Sequence, residues 1–430
     1  MYVAQNRPYP PPTAPQEEPS PRRSRRRGVA ALLTGNVLAL GTVSFITDIS
    51  SEMVTAVLPI YLVTGLGMTM LQVGLLDGLY SGATVLLRLV GAHVADRFGA
   101  HKSVAAAGYG VSALSKLAFV PAGSSPTAIG ATIAVDRFGK GVRTAPRDAM
   151  ISLSTPAAQQ GRAFGLHRAM DTLGAFCGPL LAFFLLAVAS TELGPSYDAL
   201  FVVSACIGLI GVLVLVTFVR DEKWVGAGER KTGGVRATFA LLRVRVLRRS
   251  VLCAFLLGLA TVSDSFVFLA LQQRVDFAIE YFPLLPLGTA AVFLLAAVPL
   301  GALGDRIGRW WVFVGGHVCL IGVYLLLPGD VGLDGMFLVC AVLVLHGLFY
   351  ACTDGVLMAH AAPHVPRELR AGGMALLQIG QALGRSVAAM AFGAAWMRWG
   401  DERSLQGWTI ALVVACVVSS VVVRPRGRTA

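Results

Sequence analysis

The sequence predicts an all-α membrane protein with twelve transmembrane helices in two pseudo-symmetric six-helix bundles, and three observations lead there. Of 430 residues, 55% are hydrophobic and 14% charged, against roughly 25% charged in a soluble protein. The apolar residues gather into runs long enough to cross a bilayer, where about 20 residues make one span and twelve spans use roughly 240. A short charged loop motif in the first half returns in the second, Asp96-Arg97-Phe98-Gly99 and Asp305-Arg306-Ile307-Gly308, 209 residues apart.

The chain opens with residues 1–28, rich in proline and ending in Arg22, Arg23, Arg25, Arg26 and Arg27. Such a segment cannot bury a core and is expected to be a disordered basic tail held in the cytoplasm. The apolar run that follows continues past signal-peptide length, so no cleavage is expected. Spans are expected at 37–63, 71–95, 103–122, 127–150, 163–189 and 198–219, broken by Gly, Pro or charge. Six more are expected at 251–272, 281–303, 310–327, 336–359, 371–397 and 407–423. The first bundle is therefore 29–219 and the second 251–424. Residues 220–250, with nine Arg or Lys and three acids, form a cytoplasmic linker, and 425–430 a cytoplasmic tail.

With the N-terminus inside, the inner connections hold Arg97, Lys102, Arg162, the linker, Arg306, Arg309, Arg367 and Arg370. The outer connections hold only Arg274, Arg398 and Arg403 as bases, beside eight acids such as Glu192, Asp276 and Asp401. This positive-inside bias accounts for the net charge of +12 without nucleic acid. The location expected is the cytoplasmic membrane, multi-pass, with both termini inside. Seven cysteines lie in apolar runs with no CxxC pair, so neither disulfides nor a zinc site is indicated. No GxxxxGK, HExxH or GxSxG motif is present, and no enzymatic activity, metal or cofactor is expected.

The duplicated loop resembles the signature of the major facilitator superfamily, GxxxD(R/K)xG. Gly301, Asp305, Arg306, Gly308 and Arg309 match it in the second half. Asp96, Arg97, Gly99 and Lys102 match in the first, where Ala92 replaces the leading glycine. The fourth span resembles that family's RxxQG motif through Arg137, Gly139 and Gly141, with Lys140 in place of glutamine. The fifth resembles the antiporter pattern through Gly165, Gly174, Gly178 and Pro179. The resemblance covers residues 29–424. It implies two bundles rocking around a central cavity, with the loop residues (Asp96, Arg97, Gly99; Gly301, Asp305, Arg306, Gly308) and the Gly174–Gly178–Pro179 segment as gating elements.

An ionised side chain at mid-membrane costs roughly 2.5 to 3.5 kcal/mol, so every charge in a span needs a partner or a cavity. Asp48 and Glu52 are four residues apart and share one face of the first helix, where two close carboxylates can hold a proton. The readings are proton coupling or an internal ion-pair network. Asp77, Arg137 and Lys140 complete the coupling set. Arg88, Lys116, Asp136, Arg143, Asp264, Gln378, Gln381 and Arg385 are candidates for the substrate cavity. His167 and Asp171 share a face, and a hydrogen-bonded interface role is favoured over a proton relay. Asp48 and Asp264 are each expected near the middle of the opening helix of their half. The second half carries fewer charges, so coupling is expected mainly in the first bundle.

The function expected is secondary active transport of a small organic solute by alternating access, as proton-coupled export. Two other readings stay open: import or exchange of an anionic metabolite, and a non-transporting receptor or scaffold. Basic groups paired with acids would argue for a network, unpaired ones facing the cavity for an anion site. The partners expected are the lipid bilayer, the solute and protons, with a monomeric chain.

Overall fold

The computed structural model describes residues 35–80, 82, 100–155, 159–189, 197–220, 240–329, 332–354, 356–357 and 370–423. Both tails, the first loop motif with Asp96, Arg97 and Gly99, Arg88 and most of the 220–250 linker lie outside the described residues.

The first half contains α1 (Asn36–Ile60), which runs into a π turn at Tyr61–Gly65, and α2 from residue 70 to 80. They are followed by α3 (His101–Ser115), α4 (Pro126–Leu153), α5 (Gln160–Ala189) and α6 (Tyr197–Phe218). The second half contains α7 (Arg245–Leu259), α8 (Asp264–Val275), α9 (Leu284–Ile307), α10 (Arg309–Leu326), α11 (Gly335–Thr353) and α12 (Arg370–Val423). Among the described residues, nine helical stretches are long and apolar enough to cross a membrane. Leu295 and Val298, each 79% exposed, show the outward apolar face that meets lipid.

Local chemistry sets the helix ends. Ser125 accepts the Ala128 N–H and Pro126 takes the first position of α4, where a missing N–H costs nothing. Between α9 and α10 the chain turns at Gly308 with φ +103°, a conformation that side chains oppose. This is why the DRxG loop ends in glycine. In α12, Gly400 at φ +81° breaks the helical geometry, separating the two spans expected at 371–397 and 407–423.

One departure matters for function. The seventh span was expected to be unbroken with Asp264 near its middle, but residues 260–263 are not helical, and Asp264 is the first residue of α8. Thr261 and Val262 are β-branched, and Ser263-Asp264 is a helix-starting pair, so the local preference is to stop and restart. Tyr324 of α10 bridges the gap: its hydroxyl accepts the Val262 N–H at 2.6 Å and donates to the Ala260 carbonyl at 3.5 Å. Broken helices at membrane depth survive only when freed backbone groups find such partners.

The halves are built alike. In the first, α5 packs on α1 at Gly174 and Gly178, where an added Cβ would lie 2.5 Å from the Phe45 carbonyl oxygen and 2.8 Å from that of Ile49. In the second, α12 packs on α7 at Gly380 and Gly384, with a Cβ at 3.2 Å from the Val251 oxygen and 2.4 Å from that of Phe255. All four positions recur 206 residues on (174 to 380, 178 to 384, 45 to 251, 49 to 255). The repeat is thus carried by helix packing as well as by the loop motif.

Candidate functional site

Small residues also bring the halves together. An added Cβ on Gly74 or Gly78 of α2 would stand 2.4 Å from the Ala389 oxygen and 2.8 Å from the Ser386 oxygen of α12, and Gly393 meets the Met70 oxygen at 2.4 Å. A second contact between the halves pairs the rings of Phe183 and Tyr281, 5.6 Å apart. These contacts join the halves at the end where α1 finishes and α2 begins. A cavity of about 300 Å³ lies between the halves, lined among others by Glu52, Asp77, Tyr80, Asp264, Tyr350 and Arg385.

On the first-half side the charges are arranged as pairs. Lys140 Nζ is 3.5 Å from Glu52 Oε1, and Arg143 Nη2 is 3.9 Å from Asp48 Oδ1. Arg137 is bound to the neighbouring Asp136, which also accepts the Ser112 hydroxyl at 2.6 Å. The Arg137 guanidinium lies 4.0 Å over the Tyr80 ring and that of Arg143 4.3 Å over Tyr109, so delocalised cations rest on aromatic faces as well as on carboxylates. Lys116 donates to Ser50 Oγ at 2.7 Å, and Ser50 donates to the Ser204 carbonyl at 2.6 Å. Toward the far end of α4, Arg147 reaches Asp148 at 3.0 Å and Asp171 at 3.7 Å. His167 Nε2 lies 2.8 Å from Ser44 Oγ, a buried hydrogen bond between α5 and α1.

The second-half side is assembled around the broken helix. The Asp264 carboxylate accepts the Tyr350 hydroxyl, with its two oxygens at 2.6 and 2.8 Å, and His346 Nε2 stands 3.3 Å from it. His346 is fully buried, and its other ring nitrogen lies 3.4 Å from Thr289 Oγ1. Arg385 of α12 lies 5.7 Å over the rings of both Phe349 and Tyr350. Its Nε is buried without a hydrogen-bond partner, and among the described residues it makes no ion pair. Asp77 of α2 completes the group across the interface: Oδ1 accepts the Ser265 hydroxyl at 3.2 Å, Ser263 also supports the carboxylate, and among the described residues Asp77 makes no ion pair.

The residues expected from sequence therefore divide. Glu52, Asp77, Asp264 and Arg385 line the cavity. Asp48, Lys116, Asp136, Arg137, Lys140 and Arg143 do not; all but Lys116, which is bound to Ser50, take part in ion pairs within the first bundle. Gln378 is exposed, and Gln381 presents its backbone oxygen to Gly258, 2.7 Å from an added Cβ, so neither lines the cavity. Gly174 and Gly178 seat α5 on α1 within one half, and Pro179 lines the cavity. Gly301 has open space around it, and Asp305 pairs with Arg309 at 2.8 Å, leaving Arg306 exposed. Sequence reasoning missed His346, Tyr324, Ser263 and Ser265. The signal available was the Thr-Val-Ser-Asp run interrupting an apolar stretch.

The family model of the Major Facilitator Superfamily matches residues 40–389 and, in a second match, 284–426. An uncharacterized MFS-type transporter of Methanocaldococcus jannaschii is 28% identical over 394 residues, 89% of this chain and 93% of its own length. Among solved structures, the nucleoside transporter NupG superposes with a TM-score of 0.75 at 16% identity, covering 91% of this chain and 99% of that one. A bacterial homolog of the human lysosomal transporter Spinster, in an inward-facing and unoccupied conformation, gives 0.72 at 15% identity over 95% and 98%. At these identities the structures share the fold.

Proposed function

Since the chain belongs to the Major Facilitator Superfamily and is a membrane transporter rather than an enzyme, we propose that it is a secondary active transporter that exports a small organic solute in exchange for protons. The observation that carries this reading is the position of Glu52: it lines the cavity while its carboxylate is tied to Lys140 at 3.5 Å. A proton arriving from the cavity neutralises Glu52 and weakens its hold on Lys140. Lys140 and the adjacent Asp48–Arg143 pair then rearrange between α1 and α4. Asp48 and Glu52 thus exchange the proton, with Lys140 and Arg137 as the opposing charges and Asp77 lining the same cavity as Glu52.

The duplicated packing supports alternating access, because two similar rigid halves meeting through glycines can rock about a fixed cavity. The positive-inside bias places both termini in the cytoplasm, which makes the end joined by α2 and α12 the outer one. The antiporter-like Gly174–Pro179 segment supports export. The ion pairs made by Arg137, Lys140 and Arg143 weigh against an anion-filled cavity on the first-half side.

The test is transport in proteoliposomes under an imposed pH gradient, using a solute that stabilises the purified protein thermally. Wild type is expected to accumulate it uphill, and the Asp48→Asn, Glu52→Gln double variant is expected not to. Uphill movement by the double variant would overturn the assignment.

A further inference from the structure

Buried polar atoms are nearly always hydrogen-bonded, and each one that is not calls for an explanation. Buried charges are paired by the same rule, yet two charged groups of the cavity lining, on opposite halves, have no ion pair among the described residues. Asp77 on α2 is held only by the hydroxyls of Ser263 and Ser265, and Arg385 on α12 rests on aromatic rings with its Nε buried and, among the described residues, without a hydrogen-bond partner. The other charged groups of the lining are already engaged, Glu52 with Lys140 and Asp264 with Tyr350 and His346. A solute with only a cationic group would leave Arg385 unanswered, and one with only an anionic group would leave Asp77 unanswered.

We infer that the cavity binds a zwitterion, a small solute whose ammonium group is received by Asp77 and whose carboxylate or equivalent anionic group is received by Arg385. This deepens the transport reading and rests on it. Ser265 fixes the Asp77 carboxylate, and Asp264 beside it adds negative potential on the ammonium side. Tyr350 positions the anion side, since its hydroxyl is committed to Asp264 while its ring supports Arg385. A solute held this way touches both halves at once, so its arrival and departure bear directly on their relative position.

Three probes with one skeleton separate the possibilities: L-phenylalanine, 2-phenylethylamine and 3-phenylpropionate, each measured by equilibrium dialysis against the purified full chain. L-Phenylalanine is expected to bind about thirtyfold or more tightly than either singly charged probe, the usual effect of leaving one buried charge unanswered. Asp77→Asn is expected to weaken L-phenylalanine and 2-phenylethylamine and to spare 3-phenylpropionate. Arg385→Gln is expected to do the reverse, weakening L-phenylalanine and 3-phenylpropionate and sparing 2-phenylethylamine. This crossed pattern also separates charge recognition from misfolding, which would weaken all three alike. Equal binding of zwitterion and amine, equal binding of zwitterion and acid, or no binding of L-phenylalanine would each overturn the inference. Because binding is read without a proton gradient, any of these results leaves the proton-coupled reading to its own test.

Discussion

The two halves share one packing plan and fill it with different chemistry. Where α5 seats Gly174 and Gly178 on α1, the residues flanking the contact are Asp48 and Glu52. At the corresponding contact of α12 on α7, 206 residues on, stand Ala254 and Gly258. The first half thus places its carboxylates on an unbroken helix, opposite the basic ridge of α4. The second keeps α7 free of acids, breaks it after Leu259, and presents Asp264 at the start of the next helix. Duplication preserved the backbone fit, which glycine controls, and left the charges free to diverge. The result is a paired interior within the first bundle and a cavity lining in which Asp77 of one half and Arg385 of the other have no ion pair among the described residues.

The largest effect that would break this contrast is loss of a charge from each side. Arg137→Ala strands Asp136 in the first bundle, and removing one member of a buried pair costs about 3 to 5 kcal/mol. Thermal melting followed by tryptophan fluorescence in detergent is expected to show a large drop. Arg385→Gln removes a guanidinium that has no ion pair and is expected to change the melting temperature little. If the two substitutions destabilise equally, the division into a structural and a solute-facing set is wrong.

Glycine replacement sharpens the contrast from another direction. Gly174→Val forces α5 off α1 inside one bundle, an overpacking error of about 1 to 3 kcal/mol. Gly78→Val drives the same kind of clash into the Ser386 oxygen across the halves. There the molecule can respond by separating α2 from α12, so the expected result is a longer spin-label distance between Thr69 and Trp399 with less loss of stability. An unchanged distance would mean that the α2–α12 contact is not a moving seam.

A smaller effect is expected at the helix break. Tyr324→Phe removes the hydroxyl that serves Val262 and Ala260, and losing one such hydrogen bond costs about 0.5 to 1.5 kcal/mol. The smallest effect is expected for Asp305→Asn in the exposed pair with Arg309, where such pairs contribute about 0.2 to 1 kcal/mol. A stability loss of core size there would show that the loop makes contacts beyond Arg309.

Much of this architecture was legible in the sequence, because span length and apolar runs depend on the bilayer and not on tertiary detail. The i, i+4 spacing of Asp48 and Glu52 placed them on one face, and the ridge through Lys140, Arg143 and Arg147 was visible from helical angles alone. Whether that ridge faced a cavity or a neighbouring helix was not legible, since it depends on how α4 is rotated against α1 and α3. The break at 260–263 had only a short signal, the polar Thr261, Ser263 and Asp264 inside a longer apolar run. His346 carried no signal until α11 brought it to Asp264 from 82 positions away, beside Tyr350 from 86 (264 to 346, 264 to 350).

The claim everything else leans on is that Glu52 and Asp48 exchange a proton with the cavity. The most direct measurement is a pH-difference infrared spectrum of the purified protein, which records the carbonyl stretch of a carboxyl group as it gains its proton. Acidification of wild type is expected to produce that band, and the Asp48→Asn, Glu52→Gln variant is expected to lack it while Asp148→Asn retains it. An identical band in the double variant and wild type would contradict the assignment.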